Sequence, residues 1–296
     1  MDADRVYVLF QTKSGSPLTA YDHDGKQLWQ IDFGPYLHGQ GGAVSPIVHG
    51  DMVIVANDHA QGSFLIAVDR ATGKTIWKIP REGNRACYST PCIFQPADRE
   101  PEIIFTHCYE GVTGVIAKTG VTNWTLDPFG RFKQRAVGSP IIAGDLIIAT
   151  SGFTTAEKNV VVLRTDALDG ATTAKEIYRV SKLAPHIPTP LVYRDRLFLW
   201  TDTGIVSAYE LKTGEELWKG RVGGNFYGSP VCVNGNLYCC DRDGVVSVVS
   251  AVEDDFELIA TNKLGGPSRA TPAVSDGVMY LRSDAHVVSL GGKASE

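Results

Sequence analysis

Residues able to do chemistry are plentiful in this sequence, but none forms a local motif. Seven histidines are present, and no two have the helical spacing that brings a pair of imidazoles onto one metal ion. His38, His59, His107, His186 and His286 sit in polar stretches between apolar runs. The same stretches hold Arg85, Tyr88, Tyr109, Glu110, Arg131, Arg135, Asp202, Asn225, Tyr227, Arg242, Arg269 and Arg282. Cations, imidazoles and phenols together suit recognition of a protein, peptide or glycan. The plainer reading is that connecting loops are polar in any protein. Neither reading supplies a nucleophile–base pair or a carboxylate pair, so no catalytic residue and no metal ligand is assigned. Gly73-Lys74-Thr75 ends like a phosphate-binding loop, but that motif needs Gly at position 68, which is Val, and a following helix. Gly39-Gln40-Gly41-Gly42 lacks the strand-to-helix context of a dinucleotide site. Asn123-Trp124-Thr125 fits a glycosylation triplet, yet its Trp belongs to a repeat described below.

Composition narrows the field. The chain has 296 residues, 28 Lys+Arg against 33 Asp+Glu, a net charge of −5 and 43% hydrophobic residues. That is apolar enough for a large core. A mildly acidic balance argues against a nucleic-acid footprint, which needs a basic face. No apolar run reaches the roughly 18 residues of a membrane-spanning helix, and the first residues, Met1-Asp2-Ala3-Asp4-Arg5, do not read as a signal peptide. With 31 Gly and scattered Pro, long helices are not expected.

The elements that must position the loop residues are set by internal repeats. A Ser/Thr-Pro step recurs at Ser45-Pro46, Thr90-Pro91, Ser139-Pro140, Thr189-Pro190, Ser229-Pro230 and Thr271-Pro272, at intervals of 45, 49, 50, 40 and 42 residues. Most steps lead through a Gly-containing turn into alternating apolar residues, the two-residue hairpin signal. A third strand follows, then a turn Gly and, four residues later, a Trp: Gly25/Trp29, Gly73/Trp77, Gly120/Trp124 and Gly214/Trp218. The fourth and sixth units are degenerate, ending in Ile177-Tyr178 and Glu257-Leu258-Ile259. Four short strands per unit, with an aromatic at a fixed offset, describe an all-β propeller whose aromatics pack blade on blade. We letter the strands of a blade A (after Ser/Thr-Pro) to D (carrying the Trp). Six A, seven B, seven C and six D strands are expected: 26, where seven full blades need 28. The first and last of about seven blades are then incomplete, in one domain spanning 1–296. The two missing strands would lie consecutively upstream, making this an N-terminally shortened form of a longer exported protein.

Ala67-Val68-Asp69-Arg70-Ala71-Thr72-Gly73-Lys74-Thr75-Ile76-Trp77 resembles the repeat of pyrroloquinoline-quinone (PQQ) propeller proteins, Ala-x-Asp-x-x-Thr-Gly-Lys-x-x-Trp. Ala208 to Trp218 repeats it with conservative changes, and Ala20 to Trp29 is one residue shorter. The superfamily holds quinoprotein dehydrogenases, the propeller lipoprotein of the outer-membrane assembly machinery and many proteins that bind no quinone. A dehydrogenase of this kind implies a stacking aromatic, Arg partners, a calcium held by hard oxygens and an Asp base. Four Trp are repeat residues and Trp200 closes a B strand, so no cofactor is expected; PQQ with calcium is the alternative. Cys239-Cys240-Asp241 is similar to the adjacent-cysteine motif over the quinone in alcohol dehydrogenases, but it lies at a strand end, where two residues face opposite sides of a sheet.

The expected function is a non-catalytic scaffold or recognition module for a protein, peptide or glycan. It would use the D–A and B–C loops, which share one face, and would sit in the periplasm or elsewhere in the envelope, as the resemblance implies. A PQQ-dependent alcohol or sugar dehydrogenase, and a hydrolase or lyase, are the alternatives. With Gly235-Asn236 as the turn, Cys232 should lie opposite Cys239 as a reduced pair.

Overall fold

A computed structural model describes residues 1–37, 40–83, 85–130, 135–153, 157–169 and 171–291. These residues form 26 strands and no helix. The strands make seven sheets in which consecutive strands pair as neighbours, the blades of a β-propeller. Blade 1 has only B, C and D strands (Val6–Leu9, Pro17–Tyr21, Gln27–Asp32), and blade 7 only A, B and C (Ala273–Ser275, Val278–Arg282, Val287–Gly291). The five between are four-stranded. Two compact units are distinguished: Met1–Phe153 with Val161–Ile177, and Thr154–Val160 with Tyr178–Glu296. In the first, Ile54, Ala67, Trp77, Ile103 and Phe105 form one core cluster. In the second, Phe198, Trp200, Trp218, Phe226 and Leu237 form another.

The repeat residues each have a physical task. The Ala of the motif lies across the sheet from the Trp, as in Ala20 with Trp29, Ala67 with Trp77 and Ala208 with Trp218. A bulge beside each of these pairs adds the local twist that such an extra residue brings. The ring then covers the turn of the following blade. Trp29 Nε1 donates to Arg70 O (2.9 Å) and Trp77 Nε1 to Ala117 O (2.9 Å). Gly73 and Gly120 lie directly beneath those rings; a Cβ there would meet indole carbons at 2.8 and 2.7 Å. The degenerate fourth blade keeps the contact with a phenol. Tyr178 Oη donates to Leu211 O (2.7 Å) over Gly214. Trp124 departs from the pattern: its Nε1 donates to the buried carboxylate of Glu102 in its own blade (2.6 Å).

The Ser/Thr of each Ser/Thr-Pro step links neighbouring blades. Ser45 N donates to Thr90 Oγ1 (3.1 Å) and Thr90 N to Ser139 Oγ (3.1 Å). In the second unit, Thr189 N donates to Ser229 Oγ and Ser229 N to Thr271 Oγ1, both at 2.9 Å.

One expected register is corrected. The blade-6 turn is Asn234-Gly235, with φ of 49° and 78°, because a two-residue hairpin turn with both φ positive favours Asn-Gly. Val233 therefore pairs with Asn236 and Cys232 with Leu237, not Cys239. Cys232 and Cys239 share a face as diagonal neighbours, and both thiols are free.

Candidate functional site

In the first unit, polar side chains at one end of blades 2 and 3 converge in the interior. Strand B of blade 2 (Met52–Asn57) delivers Asp58, and its strand D (Thr75–Pro80) delivers Arg81. The D–A connection that follows carries Cys87. Strand B of blade 3 (Glu102–His107) ends at His107, followed by Cys108, Tyr109 and Glu110. The Arg81 side chain is only 1% exposed; its Nε lies 3.3 Å from Asp58 Oδ1 and 3.2 Å from Glu110 Oε2. Glu110 Oε1 accepts the backbone N–H groups of Glu82 (2.8 Å) and Gly83 (3.2 Å), fixing the loop above. Cys87 and Cys108 are 1% and 0% exposed, with their sulfurs 3.3 Å apart, and Cys108 N–H donates to Cys87 Sγ (3.4 Å). His107 is fully buried, and its Nδ1 accepts Tyr109 N–H (3.2 Å).

The electrostatics follow from this burial. Burial pushes the Asp58 carboxyl up to about 6 against the pull of Arg81 and His107. Burial would also raise the Cys87 thiol, but Cys108, His107 and the Cys108 amide outweigh it and hold Cys87 well below its ordinary value. Cys108 moves up, through its bond to Cys87 and through burial. Burial pulls His107 down, and Cys87 with Asp58 more than restores it.

The loop residues singled out from sequence divide by exposure. His59, Tyr88, His107 and His186 are buried. His59 stacks near Tyr36 (5.2 Å), and burial lowers its pKa. Asp202 is half-buried. It accepts His186 N–H (2.9 Å) and Ile187 N–H (3.0 Å) and pairs with Lys158 (3.0 Å). Arg85 is half-buried; Arg135 lies over Tyr88 and Phe153 and donates to Gln40. Tyr109, Asn225, Tyr227, Arg242, Arg269, Arg282 and His286 are exposed. Arg242 stands 5.4 Å over the Tyr227 ring, and Arg269 pairs with Asp284 (3.4 Å). His38 and Arg131 lie outside the described residues. Sequence reasoning missed Asp58, Arg81, Cys87 and Cys108. The available signal was three cysteines, Cys87, Cys92 and Cys108, in 22 residues with a histidine beside the last.

The described indoles are engaged within the protein. Trp29, Trp77 and Trp218 are hydrogen-bonded to backbone carbonyls and Trp124 to Glu102. Trp200 is buried edge-on to Phe226. An apolar groove of 320 Å³ between blades 6 and 7, lined by Tyr238, Val246, Leu264, Met279, Leu281 and Leu290 among others, holds none of the site's polar groups.

The chain matches the family model described as outer membrane protein assembly factor BamB over residues 1–175 and 158–255. No curated protein matches it. Among solved structures it is similar to BamB from Moraxella catarrhalis. That match has 17% identity and a TM-score of 0.67, and covers 98% of this chain and 86% of the other. It is also similar to Sqt1 from Saccharomyces cerevisiae, with 10% identity, a TM-score of 0.71, and coverage of 97% and 81%.

Proposed function

The chain belongs to the outer membrane protein assembly factor BamB family, and from that premise we propose a non-catalytic recognition module. It works outside the cytoplasm, in the envelope, and binds protein partners concerned with outer-membrane protein assembly. The observation that carries this reading is the exposed pair of Arg242 over Tyr227, the latter 40% exposed. An aromatic ring with an arginine across it at a loop tip is the chemistry that dominates protein interfaces, and a ring already stacked loses little freedom on binding. The same pair suits a glycan less, because the guanidinium covers a ring face on which a sugar would stack.

Turnover of a substrate has less support. The thiol–imidazole pair of Cys87 with His107 is sealed from solvent, and the described indoles are committed to packing. On this reading the module works without PQQ. A photoreactive residue at position 227 or 242, introduced in cells making the protein, tests the reading. Adducts to an outer-membrane assembly protein are expected there and not from Leu28, an exposed residue on the D strand of blade 1. Equal labelling at all three, or none, would overturn it. Retention of PQQ with calcium and dye-linked alcohol oxidation would favour the dehydrogenase instead.

A further inference from the structure

The Cys87–Cys108 contact is independent of any partner, and the recognition reading does not use it. Two thiols 21 residues apart are brought to 3.3 Å in the interior, where Ala136 joins them in a small buried cluster. A disulfide needs a sulfur separation of about 2.05 Å, so closure requires about 1.2 Å of approach. The two sulfurs are not equivalent. Cys87 Sγ accepts the Cys108 amide (3.4 Å), and the His107 imidazole lies within 4.8 Å of it. A main-chain amide aimed at one sulfur beside an imidazole favours the thiolate there. No amide donates to Cys108 Sγ among the contacts of the described residues.

Two sulfurs and an imidazole within 4.8 Å also describe a soft metal site. The tautomer argues against it. Tyr109 N–H occupies the Nδ1 lone pair of His107, so the proton of the neutral ring resides on Nε2. Nε2, which has no hydrogen-bond partner, then carries a proton and not the lone pair a metal would need.

We propose that Cys87 and Cys108 form an oxidisable dithiol site that a peroxide closes to a disulfide, with Cys87 as the nucleophile and Cys108 as the resolving thiol. The Cys87 thiolate attacks one peroxide oxygen, breaking the O–O bond to give a sulfenic acid and hydroxide. The Cys108 thiol then attacks the Cys87 sulfur, forming the S–S bond and releasing water. Peroxide takes the two electrons. Burial excludes larger oxidants, and it makes the closed bond slow to reduce unless the chain opens. The bridge ties the D–A connection before blade 3 to the turn that follows the B strand of that blade.

The test treats the reduced, full-length chain with hydrogen peroxide, alkylates in denaturant and maps the peptides by mass. A Cys87–Cys108 cross-linked peptide is expected, with Cys92, Cys232, Cys239 and Cys240 alkylated. Cys108→Ser should trap a sulfenic acid at Cys87, seen as a dimedone adduct. His107→Gln should slow closure roughly tenfold at neutral pH and move the pH profile of the rate upward, as expected for a thiol that loses its imidazole neighbour. Peroxide that oxidises other cysteines and never joins these two would overturn the proposal. So would stoichiometric zinc or copper in the purified protein that Cys87→Ser abolishes. The wild-type map decides the question even if the variants fail to fold.

Discussion

Asp58 and Asp202 occupy the same place in their repeats, each six residues after the first residue of strand B: Met52 to Asp58, Arg196 to Asp202. Both are opposed by burial and both face a cation, but they differ in the main-chain donors that reach them. Asp202 accepts two backbone N–H groups and faces Lys158, and although burial opposes ionisation, those donors bring its pKa below the ordinary value. It is a turn brace. Asp58 is buried against a single Arg81 that it shares with Glu110, and its Oδ1 has no aligned hydrogen bond. Burial wins, and the pKa rises. The lesson is that a repeat fixes where a side chain emerges, while the neighbouring connection decides what that side chain becomes. In blade 5 the connection offers main-chain amides; in blade 2 it offers a guanidinium and, farther along, a thiol.

The largest test of this contrast is Arg81→Met. Removing the cation leaves two carboxylates uncompensated, and breaking a buried pair from one side costs about 3–5 kcal/mol. Urea unfolding at pH 8 should show that loss. At pH 5 the loss should shrink, because Asp58 takes up a proton. A cost that is the same at both pH values would mean that Asp58 carries no strain.

Next is the pH dependence of Asp58 itself. The folded chain keeps this proton up to about pH 6, whereas the ordinary value is 3.8. Between those values the folded state holds more protons than the unfolded one, so the contribution of Asp58 to stability falls as pH rises, by at most about 3 kcal/mol. Stability curves for wild type and Asp58→Asn, subtracted from one another, should diverge across that window and be parallel above it. Asp202 runs the opposite way. Its contribution is complete above the ordinary value of 3.8 and is lost as pH falls through its lower folded value.

Asp202→Ala removes an acceptor from two amides and a partner from Lys158. The expected cost is about 2–3 kcal/mol, nearly constant from pH 5 to 8. A cost under about 1 kcal/mol would show that the turn holds without its brace and would erase the contrast. Smallest is Thr90→Val, which deletes one hydroxyl acceptor for Ser45 N and should cost about 1 kcal/mol, read as faster amide exchange at Ser45.

The repeat architecture was legible because each of its signals has a direct steric or hydrogen-bonding cause. Trp29 and Trp77 need Gly beneath them, so the Gly/Trp offset survives. The hydroxyls of Thr90 and Ser229 must reach the preceding blade, so the Ser/Thr-Pro period survives too. Even the incomplete end blades could be counted. The blade-6 register was missed by one residue because Asn234-Gly235 and Gly235-Asn236 are both turn dipeptides, and only positive φ at both positions separates them. Three of the seven site residues, His107, Tyr109 and Glu110, were visible as loop residues. Their convergence with Cys87 was not, since residues 21 apart on different connections leave no periodic trace.

The hydroxyl links between blades have a direction. The amides of Ser45, Thr90, Thr189 and Ser229 are each satisfied by the side chain of the next repeat toward the C-terminus, from Ser45 to Thr90 to Ser139 and from Thr189 to Ser229 to Thr271. A chain emerging from the ribosome N-terminus first therefore finishes a blade with that amide still waiting. Within each run, vectorial synthesis leaves one open donor at the growing end, and the arrival of the next repeat closes it while exposing its own.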